Sequence, residues 1–240
     1  MVHDQASDCF LPAFYVLCSS KELDMYWNVI DHVIQATDQK LNPAKVICDF
    51  ESGLIKAILT QFPDAKVSGC YFHIKQALGR QTKKLQIPAP KIKIAMAPGG
   101  VDVLAVVDKD KVAVQGTAYV RKLIHEECVA EGLTYTYHKW ESFWSYFNRQ
   151  WVRRYDPDLW NVEGMSKQVV ARTTNPLERF NRELNGTFRP HPSLPVFVSG
   201  IEALARRHVQ TLQDIPSNRA KSPRRREKYT LPQKVTFPSK

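Results

Sequence analysis

Short apolar runs alternate with longer amphipathic stretches over the first 85 residues. The apolar runs are rich in β-branched and aromatic residues and predict buried strands at 10–18, 45–49 and 65–72. The stretches between and after them carry apolar residues at helical spacing, which predicts helices at 22–39, 51–62 and 74–85. Residues 2–4 read as the end of a further strand that pairs with the first run.

Strands that alternate with helices are typical of parallel βαβ units, here following an antiparallel hairpin. This order predicts an α/β fold with an RNase H-like mixed sheet flanked by helices. Residues 1–87 are therefore expected to form the first part of the core, although its opening strand appears nowhere in the sequence.

The remainder of the chain is predicted to be mostly helical. Residues 88–172 are interpreted as a helical insertion, with aromatic residues at helical spacing in the order 140, 143, 144, 147 and 151. This spacing favours a packed core over a base-stacking surface. Asn175 and Pro176 have the N-cap and N1 preferences of a helix start. Residues 173–213 are expected to supply closing helices, the last at about 195–212.

The charge is unevenly distributed along the chain. Of the net charge of +10, residues 214–240 carry +6, from eight Lys or Arg and two acidic residues. This segment is rich in Pro, Ser, Lys and Arg and is predicted to be a disordered basic tail. The folded body is thus only modestly basic, which weakens the case for a strongly charged nucleic-acid surface on it.

Other features of the composition exclude several classes of protein. No apolar run approaches the roughly 20 residues of a membrane span, and the first ten residues lack the basic region of a secretory signal. The five cysteines are scattered without a Cys-x-x-Cys pair, so neither a disulfide framework nor a four-thiolate zinc site is expected. Reduced thiols fit an intracellular chain.

The strand at 45–49 ends on Asp49, and the next one leads into Cys70 and His73. Open α/β sheets expose reactive groups at the carboxyl ends of their strands. Asp49 is therefore a candidate catalytic acid. The alternative is an acid that only helps to start the following helix.

An ordered set of motifs resembles Mutator-like element (MULE) transposases. The first is Asp49-Phe50-Glu51, followed by Phe62-Pro63 and by the segment Gly69-Cys70-Tyr71-Phe72-His73 with Gln76 behind it. Downstream, the resemblance continues through the segments at 160–162, 174–181 and 191–194. These elements occur in the family's order over about residues 10–212.

The resemblance implies metal-dependent DNA strand cleavage and transfer by three carboxylates, the DDE triad, on an RNase H-like fold. Asp49 would be the second acid and Glu178 the third, and both would bind Mg²⁺ or Mn²⁺. Two such ions can neutralise the charge on the attacking and leaving oxygens of a phosphodiester. For Glu178 a helix-capping role remains the alternative, because it is the third residue of the predicted helix. Glu183 and Glu163 are weaker candidates for the same position.

The pair Cys70 and His73 is expected to lie next to the active site rather than to bind zinc. On an extended strand, residues three apart point to opposite faces, and no second Cys/His pair has finger-like spacing. By resemblance, His73 contacts phosphate or orders a loop. A core or helix-capping histidine is the alternative.

The family's first acid belongs to a strand upstream of the hairpin, for which the sequence shows no counterpart. Asp4 or Asp8 could replace it only in a shifted alignment. The sequence is therefore interpreted as an N-terminally truncated core that is inactive alone. A non-catalytic DNA- or protein-binding module derived from a transposase is the alternative function.

The partners implied are DNA and, as an open option, a second copy of the chain, with no membrane and no small-molecule substrate. In the tail, the basic residues Arg224, Arg225, Arg226 and Lys228 resemble a nuclear-import or phosphate-binding cluster. They predict a nuclear location, or a cytoplasmic one if the cluster is not an import signal. A solvated chain end explains the same residues.

Overall fold

The protein was analysed as a computed structural model, which describes residues 1–4, 7, 9–164, 179–217, 219 and 233–237. It is an α/β protein in which helices predominate and the sheets are small. The chain opens with an antiparallel hairpin of β1 (Val2–Asp4) and β2 (Cys9–Leu11), in which His3 is opposite Phe10. The opening hairpin predicted from the sequence is therefore present.

A parallel β-α-β unit follows, as predicted. Its elements are α1 (Leu23–Ala36), β3 (Lys45–Cys48), α2 (Ser52–Gln61), β4 (Lys66–Gly69) and α3 (Tyr71–Lys84). The two strands pair in parallel from Lys45 opposite Lys66 to Cys48 opposite Gly69. Parallel pairing makes both strands end at the same edge, and this edge positions the candidate site.

The described strands form two separate two-stranded sheets, β1–β2 and β3–β4. A single mixed sheet is not seen among them, so the RNase H-like fold is not confirmed. The strand expected at 10–18 is shorter, since β2 ends at Leu11. The next residue is Pro12, which has no N–H to donate to a ladder. Leu17, expected to be buried, is 67% exposed.

The middle of the chain is helical and holds most of the core. Its α-helices are α4 (Ala89–Met96), α5 (Thr117–Ala130), α6 (Tyr137–Phe147) and α7 (Pro157–Trp160). Short 3₁₀ and π turns join them, and one π turn continues α6 from Asn148 to Arg154. The aromatic residues at helical spacing are all buried: Trp140, Phe143, Trp144, Phe147 and Trp151. They form core, as their spacing predicted.

Two further helices are described beyond this region, α8 over residues 179–187 and α9 (Leu194–Asp214). The rings of Tyr15 and Phe180 lie 5.9 Å apart, so α8 contacts the segment after β2. The predicted start of the closing helix, at Asn175 and Pro176, lies outside the described residues. The predicted last helix is confirmed and extends two residues further than expected at its C-terminal end.

The described helices were also compared with the length of a bilayer. Within the described ranges, no helix is both long enough and apolar enough to cross a membrane.

Candidate functional site at the ends of β3 and β4

The ends of the two parallel strands bring the sequence-predicted residues Asp49, Cys70 and His73 together. Asp49 directly follows β3, and Cys70 directly follows β4. The backbone N–H of Cys70 donates to the carbonyl of Cys48 at 3.0 Å, which extends the parallel pairing by one bond. The strand register therefore places the start of α3 beside Asp49.

His73 and Asp49 form an ion pair at this edge. Nδ1 of His73 lies 2.7 Å from Oδ1 of Asp49, and the two side chains are 33% and 48% exposed. The Asp49 carboxylate, followed by the Cys70 side chain, raises the pKa of His73 from 6.5 to about 10 against the opposing effect of burial. His73 is therefore a cation at neutral pH.

The expectation that Cys70 and His73 point to opposite faces of a strand is wrong. Cys70 is the N-cap of α3, and His73 lies in the first turn of this helix. The backbone N–H of His73 donates to the carbonyl of Cys70 at 3.0 Å. Residues three apart on a helix share a face, so the Cys-x-x-His spacing brings the Cys70 and His73 side chains together, and His73 in turn contacts Asp49.

The thiols at this edge are buried. Cys70 is 3% exposed, and Cys48 lies on the neighbouring strand end. Burial, with smaller contributions from Asp49 and Cys70, raises the pKa of Cys48 to about 12. The Cys48 thiol is therefore protonated at neutral pH and is a poor metal ligand in this state.

Glu51, the other acid of the Asp49-Phe50-Glu51 motif, forms hydrogen bonds that stabilise the fold. Glu51 accepts a hydrogen bond from Lys21 Nζ at 2.7 Å and another from the Tyr26 hydroxyl. The bonds from Lys21 and Tyr26 hold the pKa of Glu51 below its usual value. Glu51 therefore ties α1 to the end of β3, while Asp49 faces His73.

Between the two acids, Phe50 points into the helical region. Its ring makes edge-to-face contacts with Trp151 at 4.9 Å and Tyr155 at 5.1 Å between centroids. The Tyr155 hydroxyl donates to the carbonyl of Phe50 at 2.6 Å. A partly buried ring and a partly buried hydrogen bond thus hold the backbone next to Asp49.

Sequence reasoning did not identify Tyr155 as part of the site. Its signal was available, because position 155 continues the helical spacing of the aromatic series after 151. Arg154 was also missed, and its guanidinium lies 3.4 Å from the Ser52 hydroxyl at the start of α2. The helical region therefore contacts the strand edge directly.

The other candidate acids are elsewhere or are not described. Glu178 and Asp8 lie outside the described residues, as do the basic residues Arg224, Arg225, Arg226 and Lys228 of the tail. Asp4 accepts a hydrogen bond from the backbone N–H of Ser7 at 2.8 Å in the hairpin. Glu183, a weaker candidate, lies 3.6 Å from both Arg207 and His208 of α9 and so joins the two closing helices.

The donor set at the strand edge fits a magnesium or manganese ion in part. Mg²⁺ prefers oxygen ligands and retains several waters, and the half-exposed Asp49 carboxylate can be one such ligand. Glu51 is committed to Lys21 and Tyr26. Within the described part of the chain, no cluster of three or more His, Cys, Asp or Glu residues has the arrangement of a metal site. The described residues therefore do not complete the site.

Comparisons with known proteins bear on the same segment. No curated protein and no solved structure matches the chain significantly. The family model of the MULE transposase domain matches residues 1–77, about a third of the chain, which include Asp49, Cys70 and His73. The match does not extend to the downstream motifs. The resemblance is confirmed on this segment, because residues 1–77 match the family model of the MULE transposase domain.

Proposed function

We propose that this chain is the catalytic core of a DNA transposase, with its reactive centre at the ends of β3 and β4. The observation that supports this most directly is the 2.7 Å pairing of Asp49 with His73 within the matched domain. Two motifs separated in sequence meet at the edge where α/β folds bind their substrates.

Asp49 is the metal-binding acid in this proposal, and Glu178 is its partner from the closing helix. Mg²⁺ or Mn²⁺ bound there would neutralise the charge that develops on the phosphodiester oxygens. Asp49 is half exposed and is free of the Lys21–Tyr26 network that holds Glu51. It is therefore the acid of its motif that a substrate can reach.

His73 orients Asp49 and presents a positive charge to DNA. It is protonated at neutral pH, one third exposed, and held on the first turn of α3. An imidazolium at this position can donate to a phosphate oxygen of the bound strand, since ionised donors form the stronger hydrogen bonds. The N-terminus of α3 adds its own partial positive charge at the same edge.

The proposal includes an RNase H-like arrangement of the matched domain. It is supported by the order of the described elements, a hairpin followed by a parallel β-α-β unit with an acid at the strand end. In that arrangement the hairpin and β3–β4 belong to one sheet. DNA is the proposed substrate, and the basic residues at 224–228 would add phosphate contacts and direct the chain to the nucleus.

The 240-residue polypeptide by itself is expected to cleave DNA weakly or not at all, because its residues supply two candidate acids rather than three. The test is nicking of supercoiled plasmid in Mg²⁺ or Mn²⁺ over long incubation. Any nicking should disappear in Asp49→Asn and persist in Asp64→Asn, which changes an exposed acid after α2.

Two outcomes would contradict the proposal. Nicking that is equal in Asp49→Asn and in the unchanged chain would remove Asp49 from the reaction. Salt-sensitive DNA binding that changes neither with divalent ions nor in Asp49→Asn would instead favour a non-catalytic binding module.

A further inference from the structure

Residues 233–237 lie against the helical region, inside the segment predicted to be a disordered tail. The ammonium of Lys234 lies 2.9 Å from Oδ1 of Asp108 and 2.7 Å from Oε1 of Glu163. The two acids come from separate parts of the chain, before the π turn that precedes α5 and after α7. Both point at one cation.

Three residues further on, Phe237 makes a second set of contacts. Its ring meets the ring of Tyr119 edge to face at 5.8 Å, and its carbonyl accepts a hydrogen bond from Lys111 Nζ at 3.0 Å. Val235 and Phe237 are both partly buried against the main core. An aromatic contact and a backbone contact thus accompany the ion pairs.

The two sets of contacts are linked through Asp108. Lys111 lies 3.3 Å from Asp108, so one carboxylate faces both Lys111 and Lys234. Hydrogen bonds that Lys234 donates to Glu163 and Asp108 raise the pKa of Lys234 to about 12, and Lys234 and Lys111 lower the pKa of Asp108. The surface therefore offers two carboxylates to the lysine and an aromatic ring to the phenylalanine. The distance between these groups suits a Lys-x-x-Phe segment.

We propose that Asp108, Glu163, Lys111 and Tyr119 form a docking surface whose occupant is the chain's own segment Lys234–Phe237. We call this segment the C-terminal anchor. This inference is independent of the proposed function, because it concerns the helical region and the chain end rather than the strand edge.

The described residue before the basic residues at 224–228 is Arg219, whose Nε lies 3.0 Å from Asp214 at the end of α9. The anchor belongs to the same polypeptide as the surface that it contacts. Covalent attachment gives the segment a high effective concentration, which favours even a weak Lys-x-x-Phe contact.

The first test uses lysine acetylation of the full chain, read residue by residue by mass spectrometry. Lys234 should react several-fold more slowly than Lys122, which is 75% exposed and lies 3.7 Å from a single acid, Glu126. The reason is that an ammonium paired with two acids at 2.9 and 2.7 Å is more rarely in its nucleophilic neutral form. The double variant Asp108→Asn/Glu163→Gln should remove this protection. Asp110→Asn, an exposed acid two residues from Asp108, is the matched control and should keep it.

The second test asks whether the surface recognises the segment. A fluorescent peptide with the sequence of residues 231–240 should bind the full-length Phe237→Ala variant and be excluded from the unchanged chain, whose surface is already occupied. A scrambled peptide should bind neither. Equal acetylation of Lys234 and Lys122 in the unchanged chain, or equal peptide binding to both chains, would overturn the proposal.

Discussion

Nδ1 of His73 lies 2.7 Å from Oδ1 of Asp49, although the two residues belong to different strand–helix connections. The parallel register of β3 and β4 creates this proximity, because both connections start at one edge of the sheet. A single ion pair therefore joins two of the motifs on which the resemblance to MULE transposases rests. The account of function follows from this pair.

The pair predicts a specific pH dependence of stability. The pKa of His73 is raised in the fold to about 10. The contribution of His73 to the free energy of unfolding is therefore complete below pH 6.5 and is lost as the pH rises towards 10. The free energy of unfolding should therefore fall over this range in the unchanged, metal-free chain. In Asp49→Asn the fall should be smaller. Urea unfolding at pH 6, 8 and 10 measures the difference.

The same pair can be observed directly by NMR. The His73 ring should titrate well above 6.5 in the unchanged chain and move back towards this value in Asp49→Asn. His32, an exposed histidine of α1, serves as an internal reference for both spectra. A His73 ring that titrates near 6.5 in the unchanged chain would contradict the ion pair.

Gly69→Ala is expected to destabilise the fold. A Cβ at this position would lie 2.2 Å from the ring of Phe50, which is held by Trp151 and Tyr155. Overpacking of this kind costs about 1–3 kcal/mol. Gly79→Ala is the matched control, since its Cβ would meet only Met96 at an ordinary 3.8 Å and should stabilise α3 by about 0.5–1 kcal/mol. Thermal unfolding measures the stability of both variants. Equal changes in melting temperature would contradict the close packing of Gly69 against Phe50.

Tyr155→Phe should lower the free energy of unfolding by about 1 kcal/mol, because it leaves the Phe50 carbonyl without its 2.6 Å hydrogen bond. It should also loosen the backbone beside Asp49 and reduce metal affinity there. Tyr137→Phe removes a hydroxyl from an exposed residue that contacts His125, and it should change stability by less than about 0.5 kcal/mol. Identical effects of both substitutions would argue against a supporting role for Tyr155.

Glu51→Gln should act on stability rather than on chemistry. Its pKa is lowered in the fold by Lys21 and Tyr26, so its contribution is present above the unfolded pKa and is lost as the pH falls through the folded one. Glutamine keeps an acceptor oxygen but loses the charge that strengthens the hydrogen bonds from Lys21 and Tyr26, which should cost about 1 kcal/mol. Acid unfolding of Glu51→Gln and of Asp64→Asn should differ accordingly. A metal affinity that falls as far in Glu51→Gln as in Asp49→Asn would show that both acids bind.

Much of the fold could be predicted from the sequence. The apolar run at 45–48 and the helical spacing in α1, α2 and α3 are strong local signals, and the structure confirms them. The strand at 10–18 could not be predicted correctly from its apolar residues. Pro12 interrupts the ladder, and a side chain such as Leu17 remains exposed. Composition alone cannot indicate whether a partner strand is available.

The candidate site, like the fold, was predicted only in part. Asp49 and His73 were identified from motifs, but their contact depends on where β4 stops. The apolar run to Phe72 favoured a longer strand, whereas the backbone turns into α3 at Cys70. The contacts of Tyr155 and Phe237 join residues far apart in sequence. Such pairings arise from tertiary packing, and a local pattern such as the helical spacing of Tyr155 after Trp151 does not identify the partner.

We propose that Asp49 and the adjoining ends of β3 and β4 form the metal-binding reactive centre. Paramagnetic line broadening by substoichiometric Mn²⁺ in NMR spectra of the full chain tests it directly. We expect broadening of resonances from residues 48–50 and 70–74, and its loss in Asp49→Asn but not in Asp64→Asn. Broadening that is centred elsewhere, or that persists unchanged in Asp49→Asn, would contradict the account.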